Sequence, residues 1–272
     1  MDNLLVFTKK YLPMYHDEIQ RRLQCFARYD RDEWAYAEAV SRGGISCQRG
    51  LIEVENFLRE LVVTSNAFKD SEFFQANQNA LVVKNAEDYY RLAIDNNIAS
   101  WNSRAKHMWL SVKRLFHFYG ADSKGVVWAH NTHVGDSRAT PMYSRGIVNI
   151  GSLSRSELGR WRVFVVGFST NEGQVSAGSS WGSTVEKIQI PSGIKGSYED
   201  ILSKLKLHNF YFLFDHKDRK NSWLNQYRKH RAIGSVYNPE NESLTNYDPT
   251  ILPQRYDAFV FIRHTNPIEL IK

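Results

Sequence analysis

A change in hydrophobic period near residue 120 constrains the fold of this chain more than any other feature of its sequence. Before it, apolar residues recur every three or four positions, as they do along one face of a helix. After it, short apolar runs are separated by turn residues, which is typical of strands buried in a sheet. The sequence therefore predicts an α/β fold in which a helical part, residues 1–120, packs on a mixed, mostly parallel sheet flanked by helices, residues 121–272.

The periodicity is clearest in three stretches of the helical part, residues 51–62, 71–94 and 100–119. The last stretch ends before Gly120, where a left-handed helix cap is expected. At about 100° per residue, Arg104 falls at the edge of the apolar stripe of this helix. We therefore expect Arg104 to be partly buried and to need a carboxylate or a ligand as partner.

Strands are predicted by five apolar runs of the second part, residues 126–129, 163–168, 210–214, 232–237 and 258–262. Between them, Ser197 and Asp200 have the spacing of a capping box and predict a helix through Leu205. Neither a repeat nor a low-complexity linker separates the two parts. We therefore expect residues 1–272 to form one domain.

The net charge of +6 comes from 35 Lys and Arg against 29 Asp and Glu and is spread along the chain. Its densest basic run, residues 217–231, contains Trp223 and Tyr227 and could be interpreted as a nucleic-acid patch. Because no nucleic-acid motif accompanies the run, a solvated helix face is the favoured interpretation. We expect no nucleic-acid partner.

Targeting signals are not evident in the sequence. No stretch reaches the ~18 apolar residues of a membrane span, and residues 1–12 lack the apolar region and the cleavage site of a signal peptide. The two cysteines, Cys25 and Cys47, do not imply a disulfide framework, so reduced structural thiols are expected. The sequence thus predicts a cytoplasmic protein without a membrane partner.

The densest cluster of reactive side chains, residues 128–138 (WAHNTHVGDSR), follows the first predicted strand. This position favours function, since open α/β sheets bind ligands beyond the carboxyl ends of their strands. On a continuing strand, His130 and His133 would point to opposite faces. A turn at Asn131 and Thr132 would bring the two imidazoles together.

With such a turn, the imidazoles become an acid and a base near pH 7, with Asp136 orienting one of them and Arg138 facing an anionic oxygen. Two other interpretations stay open. His130 and His133 are structural side chains with satisfied hydrogen bonds, or they are ligands of a metal ion. A metal site lacks a clear third and fourth ligand, so we expect neither a metal nor another cofactor.

A second motif, residues 178–182 (GSSWG), matches the GxSxG nucleophile elbow. An elbow must lead from a strand into a helix, whereas Val185, Ile188 and Ile190 alternate as they do in a strand. We interpret the motif as a turn, so Ser180 is not expected to be a nucleophile.

Residues 124–142 (KGVVWAHNTHVGDSRATPM) closely resemble a segment of the erythromycin esterase family, which includes macrolide-inactivating esterases and proteins labelled succinoglycan biosynthesis. The resemblance covers nearly the whole chain. The other stretches that carry it are NAEDYYR from Asn85, ASWNSRAKHMW from Ala99, NIGSLSR from Asn149, VVGFST from Val165, RAIGSVYNPENE from Arg231 and LPQRYDAFVF from Leu252.

This resemblance implies metal-independent hydrolysis of a small-molecule ester or lactone, which in macrolide resistance is the macrolide ring itself. His130 and His133 match the histidine pair that the family places in its active-site cleft, with Asn131 between them. A neutral imidazole would activate water, while a second imidazole or an arginine would stabilise the oxyanion. The residues expected to bind substrate or to support the pair are Arg104, Trp128, Asn131, Asp136 and Arg138.

The family also begins with a strand that ends in Gly-Glu and has a nearby histidine, which is generally taken as the base that activates water. Because these residues do not contain that segment, Met1 is expected to lie partway through the family's helical region. The resemblance thus implies a truncated or split hydrolase that is slow or inactive alone and is complemented by a separate N-terminal fragment. The alternative is a non-catalytic binding or scaffold protein that keeps the cleft of the fold.

Overall fold

In the computed structural model, which describes residues 1–30, 32–64, 70–221 and 223–268, the regular structure of the first unit, Met1–Val126, is helical. The three predicted helices lie within its α4, α5 and α6 and are confirmed. The α-helices of this unit are α1 (Asp2–Tyr11), α2 (Pro13–Leu23), α3 (Glu33–Ser41), α4 (Gln48–Thr64), α5 (Ser71–Ala93) and α6 (Asn97–Tyr119).

The periodic residues of α4 and α5 form the core of this unit. Leu51, Val54 and Leu58 of α4 are each at most 3% exposed, and they pack with Ala76 and Ala80 of α5. Because these positions are three or four apart, they share one face of each helix. Burial of that face accounts for the period seen in the sequence.

The end of α6 differs from the predicted cap. Gly120 has a positive φ of 99°, a region that favours glycine, but its ψ of 168° lies outside the left-handed helical region. Its N–H donates to the carbonyl of Phe116 at 2.9 Å. A glycine is therefore favoured at this position, although the prediction of a left-handed helical cap is wrong.

Cys25 and Cys47 form a disulfide, so the prediction of reduced thiols is wrong. Cys25 lies in the 3₁₀ turn that follows α2, and Cys47 directly precedes α4. Because α2 and α4 pack against each other, the two cysteines are brought together across 22 residues of sequence. Disulfides persist mainly in oxidising compartments, so this pairing does not support the cytoplasmic expectation.

Reduction of this disulfide is expected to lower the free energy of unfolding by about 3 kcal/mol, because a loop of this size restricts the unfolded chain. Urea unfolding with and without reductant measures the change. A Cys25→Ser, Cys47→Ser double variant is the control, since reductant should leave its midpoint where it was. Identical midpoints of the unaltered chain in both conditions would contradict the pairing.

The second unit, Val127–Lys272, contains a four-stranded sheet in the order β2-β1-β6-β3 and a two-stranded sheet of β4 and β5. In the larger sheet β1 and β6 run parallel, whereas β1–β2 and β3–β6 are antiparallel. The strands are β1 (Val166–Ala177), β2 (Glu186–Ile190), β3 (Asn209–Leu213), β4 (Arg228–Arg231), β5 (Tyr247–Thr250) and β6 (Ala258–Thr265).

The α/β class and the mixed sheet are therefore confirmed, but among the described strands only β1 and β6 pair in parallel, whereas β1–β2 and β3–β6 are antiparallel. The division into two units leaves the single domain over residues 1–272 a prediction. The remaining α-helices are short: α7 (Asn131–Val134), α8 (Ile150–Leu158), α9 (Tyr198–Ser203), α10 (Glu242–Thr245) and α11 (Leu252–Arg255).

Two of the five predicted strands are wrong. Residues 126–129 belong to no strand, and Val126 and Trp128 are 92% and 87% exposed, because no described strand pairs beside them. In residues 232–237 only Val236 forms an isolated bridge, to Gly178. The strands that were missed are β4, which directly precedes this run and is polar in sequence, and β5, with which it pairs.

Local signals around the sheet were partly correct. Ser197 caps α9 as predicted, accepting from the N–H of Asp200 at 3.2 Å, but the helix ends at Ser203. The basic run 217–231 is not a solvated helix, since it contains a 3₁₀ turn and β4. Its Arg219 turns inward and donates to Asp257 at 2.8 Å.

Among the described helices, none has both the length and the apolar character needed to cross a membrane.

Candidate functional site

The chain turns at Asn131 and Thr132, as the sequence predicted, in the single helical turn α7. His130 caps this turn, because the N–H of Thr132 donates to its Nδ1 at 3.3 Å and the Thr132 Oγ1 lies 2.8 Å from the same nitrogen. Accepting at Nδ1 assigns the proton of a neutral ring to Nε2. His130 is thus held in one orientation with Nε2–H as a donor.

Asn131 fixes the turn to the sheet. Its Nδ2 donates to the carbonyl of Phe168 at 2.6 Å, and its Oδ1 accepts from the N–H of Phe168 at 3.2 Å. The Asn131 side chain therefore pairs with the backbone N–H and carbonyl of Phe168, as the backbone of a neighbouring strand would. Phe168 lies near the start of β1, so the expected position beyond the carboxyl end of a sheet strand is wrong.

Gly135 lets the turn lie directly on two buried side chains. A Cβ at this position would be 2.6 Å from Arg255 Nε and 2.9 Å from the Tyr256 ring. Its φ of −65° suits any residue, so glycine is needed for space rather than for the reversal expected from the sequence. Asn149 also secures the turn, since its Nδ2 donates to the carbonyls of Thr132 and Gly135 at 2.8 and 2.6 Å.

The pKa of His130 lies below its ordinary value of 6.5, and the largest cause is desolvation of the ring by neighbouring atoms. Electrostatic effects of Arg255 and His230 lower it further, while a hydrogen bond to the Ile233 backbone and the effect of Asp248 raise it. The ring is therefore neutral near pH 7. A neutral, oriented imidazole suits hydrogen-bond donation to a developing oxyanion.

Acid pH is expected to destabilise the chain through His130. As the pH falls below 6.5, the His130 ring is protonated in the unfolded chain but not yet in the folded chain, because its pKa is lower in the fold. The free energy of unfolding therefore decreases as the pH falls from 6.5 to that lower pKa. His130→Asn, which keeps a capping oxygen, should lose less stability between about pH 8 and about pH 5. Urea midpoints at the two pH values measure this, and equal losses in variant and unaltered chain would rule it out.

His133 lies at the third position of the same turn and is half-buried. The two histidines are three residues apart in sequence, with His130 as the cap of the turn and His133 inside it. Trp128 is exposed, with its ring 6.0 Å from that of Phe168. Exposed aromatic surface therefore adjoins the turn.

Asp136 and Arg138 bind each other. Asp136 is 3% exposed and accepts from Arg138 Nε and Nη2 at 2.9 and 2.8 Å, and from Arg155 Nη1 at 3.3 Å. The hydrogen bond to Asp136 raises the pKa of Arg138 above its ordinary value. These contacts suit support of the turn, because the arginine fork already holds a carboxylate.

Arg104 is exposed on α6, so its predicted partial burial is wrong. The buried residues of α6 are Ser100, Ala105 and Trp109. The buried apolar residues Ala105 and Trp109 lie roughly 100° and 140° around the helix from Arg104, whereas the small polar Ser100 lies about 40° from it. The apolar stripe in the sequence was centred too close to it.

The GSSWG motif is a turn, as predicted. Residues 178–182 connect β1 to β2, and Ser180 accepts from Ser183 Oγ through its backbone carbonyl at 2.9 Å. No helix follows the serine, so the backbone of a nucleophile elbow is missing.

Sequence reasoning missed a buried acid–imidazole pair that acts electrostatically on His130 of the α7 turn. Glu199, in the first turn of α9, is 0% exposed, and its Oε1 accepts from Ser169 Oγ at 2.6 Å, His230 Nδ1 at 2.9 Å and the N–H of Arg231 at 3.0 Å. His230 is 1% exposed, and its Nε2 faces the hydroxyl of Tyr256 at 3.4 Å. Glu199 and His230 are 31 positions apart in sequence, and no pattern in the sequence indicated that they pair.

Desolvation, the largest influence on the pKa of Glu199, raises it, but the hydrogen bond and charge of His230 and the bond from Ser169 outweigh this. The carboxyl therefore has a pKa below its ordinary value and is ionised in the fold. A carboxylate on Nδ1 fixes the ring orientation of His230. His230 also lowers the pKa of His130, which links the pair to the α7 turn.

Within the described ranges, no three side chains of His, Cys, Asp or Glu come together in a group that could hold a metal ion.

The chain matches the family model described as erythromycin esterase over residues 1–265. Three solved structures are also similar: a Bacillus cereus protein, 18% identical with a TM-score of 0.76; a succinoglycan biosynthesis protein, 16% identical with a TM-score of 0.68; and a mutant of the erythromycin esterase EreC in its open conformation, 14% identical with a TM-score of 0.65. At these identities the likeness shows the fold.

The alignments cover 97%, 97% and 100% of this chain but only 62%, 61% and 66% of the respective solved chains. The chain therefore spans less than two thirds of the length of each of these proteins.

Proposed function

The chain belongs to the erythromycin esterase family, and from this membership we propose that it is an esterase-like hydrolase whose His130 and His133 act on a carboxylic ester or macrolactone. The observation that supports this most is the capped turn α7, which presents an oriented, neutral imidazole. Water and imidazole suffice for the reaction, so no cofactor is part of the proposal.

In the proposed reaction, His133 takes a proton from water as the oxygen attacks the carbonyl carbon. His130 exchanges its hydrogen bond to the Ile233 backbone for one from Nε2–H to the substrate carbonyl oxygen, where negative charge develops. When the tetrahedral intermediate collapses, the proton held by His133 passes to the leaving alkoxide oxygen. The products are a carboxylic acid and an alcohol, or one hydroxy acid when the substrate is a lactone.

The neighbouring residues have supporting roles in this proposal. Asn131 binds the backbone of Phe168 in β1 and so holds the turn against the sheet, and Asp136 and Arg138 form an ion pair directly after the turn. Trp128 and Phe168 offer exposed aromatic surface to the apolar body of an ester or a macrolide. Inactivation of a macrolide, as a response to antibiotic, is the most specific form of the proposal.

A separate upstream segment of the family is the proposed partner. Residues 127–130 belong to no helix or strand and join no described ladder, and Val127 and Trp128 are 41% and 87% exposed. Unpaired backbone is a template for an added strand. A strand placed there would lie next to His130 and could bring further catalytic groups to the turn.

The test is reconstitution. The part of the Bacillus cereus relative that this chain does not cover is added, and hydrolysis of p-nitrophenyl acetate and of erythromycin is followed. Hydrolysis above the buffer rate is expected with the segment, to be lost in His133→Asn and retained in His208→Asn, a control on an exposed histidine of the same unit.

Two results would overturn the proposal. Thermal stabilisation by erythromycin without product, with or without the segment, would instead indicate a binding or scaffold protein. Covalent labelling of Ser180 by a fluorophosphonate would indicate a serine hydrolase.

A further inference from the structure

Three helices of the first unit enclose a cleft of about 200 Å³. Each helix contributes residues at positions i, i+3 and i+4, a spacing that puts three side chains on one face. The cleft is therefore built where three helix faces converge, with α5 as its floor. The lining residues are Arg59, Val62 and Val63 of α4, Phe74, Asn77 and Gln78 of α5, and Arg114, His117 and Phe118 of α6.

Two polar groups of this cleft are left without partners. Arg114 Nη1 and Asn77 Nδ2 are shielded from water, and neither has a hydrogen-bond partner in the part of the chain that the structure describes. Both groups are donors, one of them on a cation. A buried donor that is left unsatisfied costs free energy, and an acceptor placed between the two helices would recover it.

The charge around the cleft favours an anion. Glu55, whose side chain is 12% exposed, lies 3.5 Å from Arg59 Nε and also acts on Arg114. One carboxylate thus faces two guanidinium groups, which leaves a positive charge in excess. Burial lowers the pKa of Arg114, against the opposing effect of Glu55, as expected of a cation that lacks sufficient counter-charge.

The cleft also has an apolar lining. The rings of Phe74 and Phe118 stack with their centroids 4.3 Å apart, and Val62 and Val63 extend this surface. An apolar cavity of roughly 150 Å³ is enough to hold benzene. The cleft therefore has room for one ring beside its two unpartnered donors.

We propose that this cleft binds a small monocarboxylate with an apolar, ring-sized body, whose two carboxylate oxygens accept from Arg114 Nη1 and Asn77 Nδ2. The apolar body lies against Phe74 and Phe118. A carboxylate fits the two donors better than a neutral acceptor, because hydrogen bonds between ionised groups are the stronger ones. The site involves none of the residues of the α7 turn and is independent of the proposed hydrolase.

The probe is benzoate, with benzyl alcohol as its neutral analogue and inorganic phosphate as a bare anion. Binding to the full chain is measured by isothermal titration calorimetry, and thermal unfolding is followed in parallel. Benzoate is expected to bind saturably with a millimolar Kd and to raise the unfolding midpoint. Benzyl alcohol and phosphate should each bind at least tenfold more weakly.

Arg114→Met is expected to weaken benzoate binding at least tenfold without lowering the unfolding midpoint of the free protein, since it removes a half-buried cation whose Nη1 has no hydrogen-bond partner among the described residues. Arg49→Met removes the same charge from an exposed position of α4 and should leave benzoate binding unchanged. Asn77→Leu provides a second variant in case Arg114→Met fails to fold, and it too should bind at least tenfold more weakly.

Equal benzoate binding by Arg114→Met, or by Asn77→Leu where the first variant is unfolded, would overturn the proposal. So would the lack of benzoate binding at tens of millimolar, or phosphate binding as tight as that of benzoate.

Discussion

Replacing Glu199 with leucine is expected to lower the free energy of unfolding by about 3–5 kcal/mol, because buried donors lose the carboxylate that pairs them. The donors are Ser169 Oγ, His230 Nδ1 and the N–H of Arg231, all within 3.0 Å of one oxygen. Leucine fills the space but accepts no hydrogen bond. Urea unfolding near pH 7 measures the loss.

Two variants bracket this effect. Glu199→Gln keeps an acceptor oxygen without the charge and should lose less than the leucine variant. Glu186→Leu changes an exposed glutamate of β2 and should stay within about 0.5 kcal/mol of the unaltered chain. If Glu199→Leu were as stable as Glu186→Leu, the buried pair would not hold α9 against β4.

The second large effect is expected on catalysis. In the chain reconstituted with the upstream segment, His133→Asn should lower kcat/KM for p-nitrophenyl acetate by about 10²–10⁴, because it removes the proposed base. His130→Asn should also lower kcat/KM while leaving the fold intact, since asparagine is a good N-cap residue. His130 therefore allows structure and chemistry to be separated by one substitution.

A substitution at another histidine of the chain serves as the control for these variants. His208→Asn alters an exposed histidine of the second unit and should keep full activity. Unfolding midpoints of all three variants exclude loss of the fold as the cause. Full activity of His133→Asn would remove this residue from the mechanism.

The sequence predicted those elements in which the spacing of apolar residues indicates which side chains are buried. Helices α4, α5 and α6 followed from apolar spacing, and β3 and β6 followed from short apolar runs. It failed where burial depends on distant partners. The polar strand β4 is buried because His230 and Arg231 bind Glu199 and Glu242, whereas the apolar residues 126–129 have no neighbouring strand and stay exposed.

The candidate site shows the same limit. The turn at Asn131 and Thr132 was predictable because it depends on neighbours in sequence. The mutual pairing of Asp136 and Arg138 was not foreseen, since spacing alone gave no way to choose between an imidazole and an arginine as partner. The Glu199–His230 pair joins two elements through tertiary packing, and no local pattern encodes it.

A double-mutant cycle on His130 and His133 tests the central claim most directly. If both imidazoles act on one ester, kcat/KM of the His130→Asn, His133→Asn variant should fall far less than the product of the two single losses, because residues that act as a unit are non-additive. Losses that multiply would show that the two rings act independently, and the shared site on α7 would then be wrong.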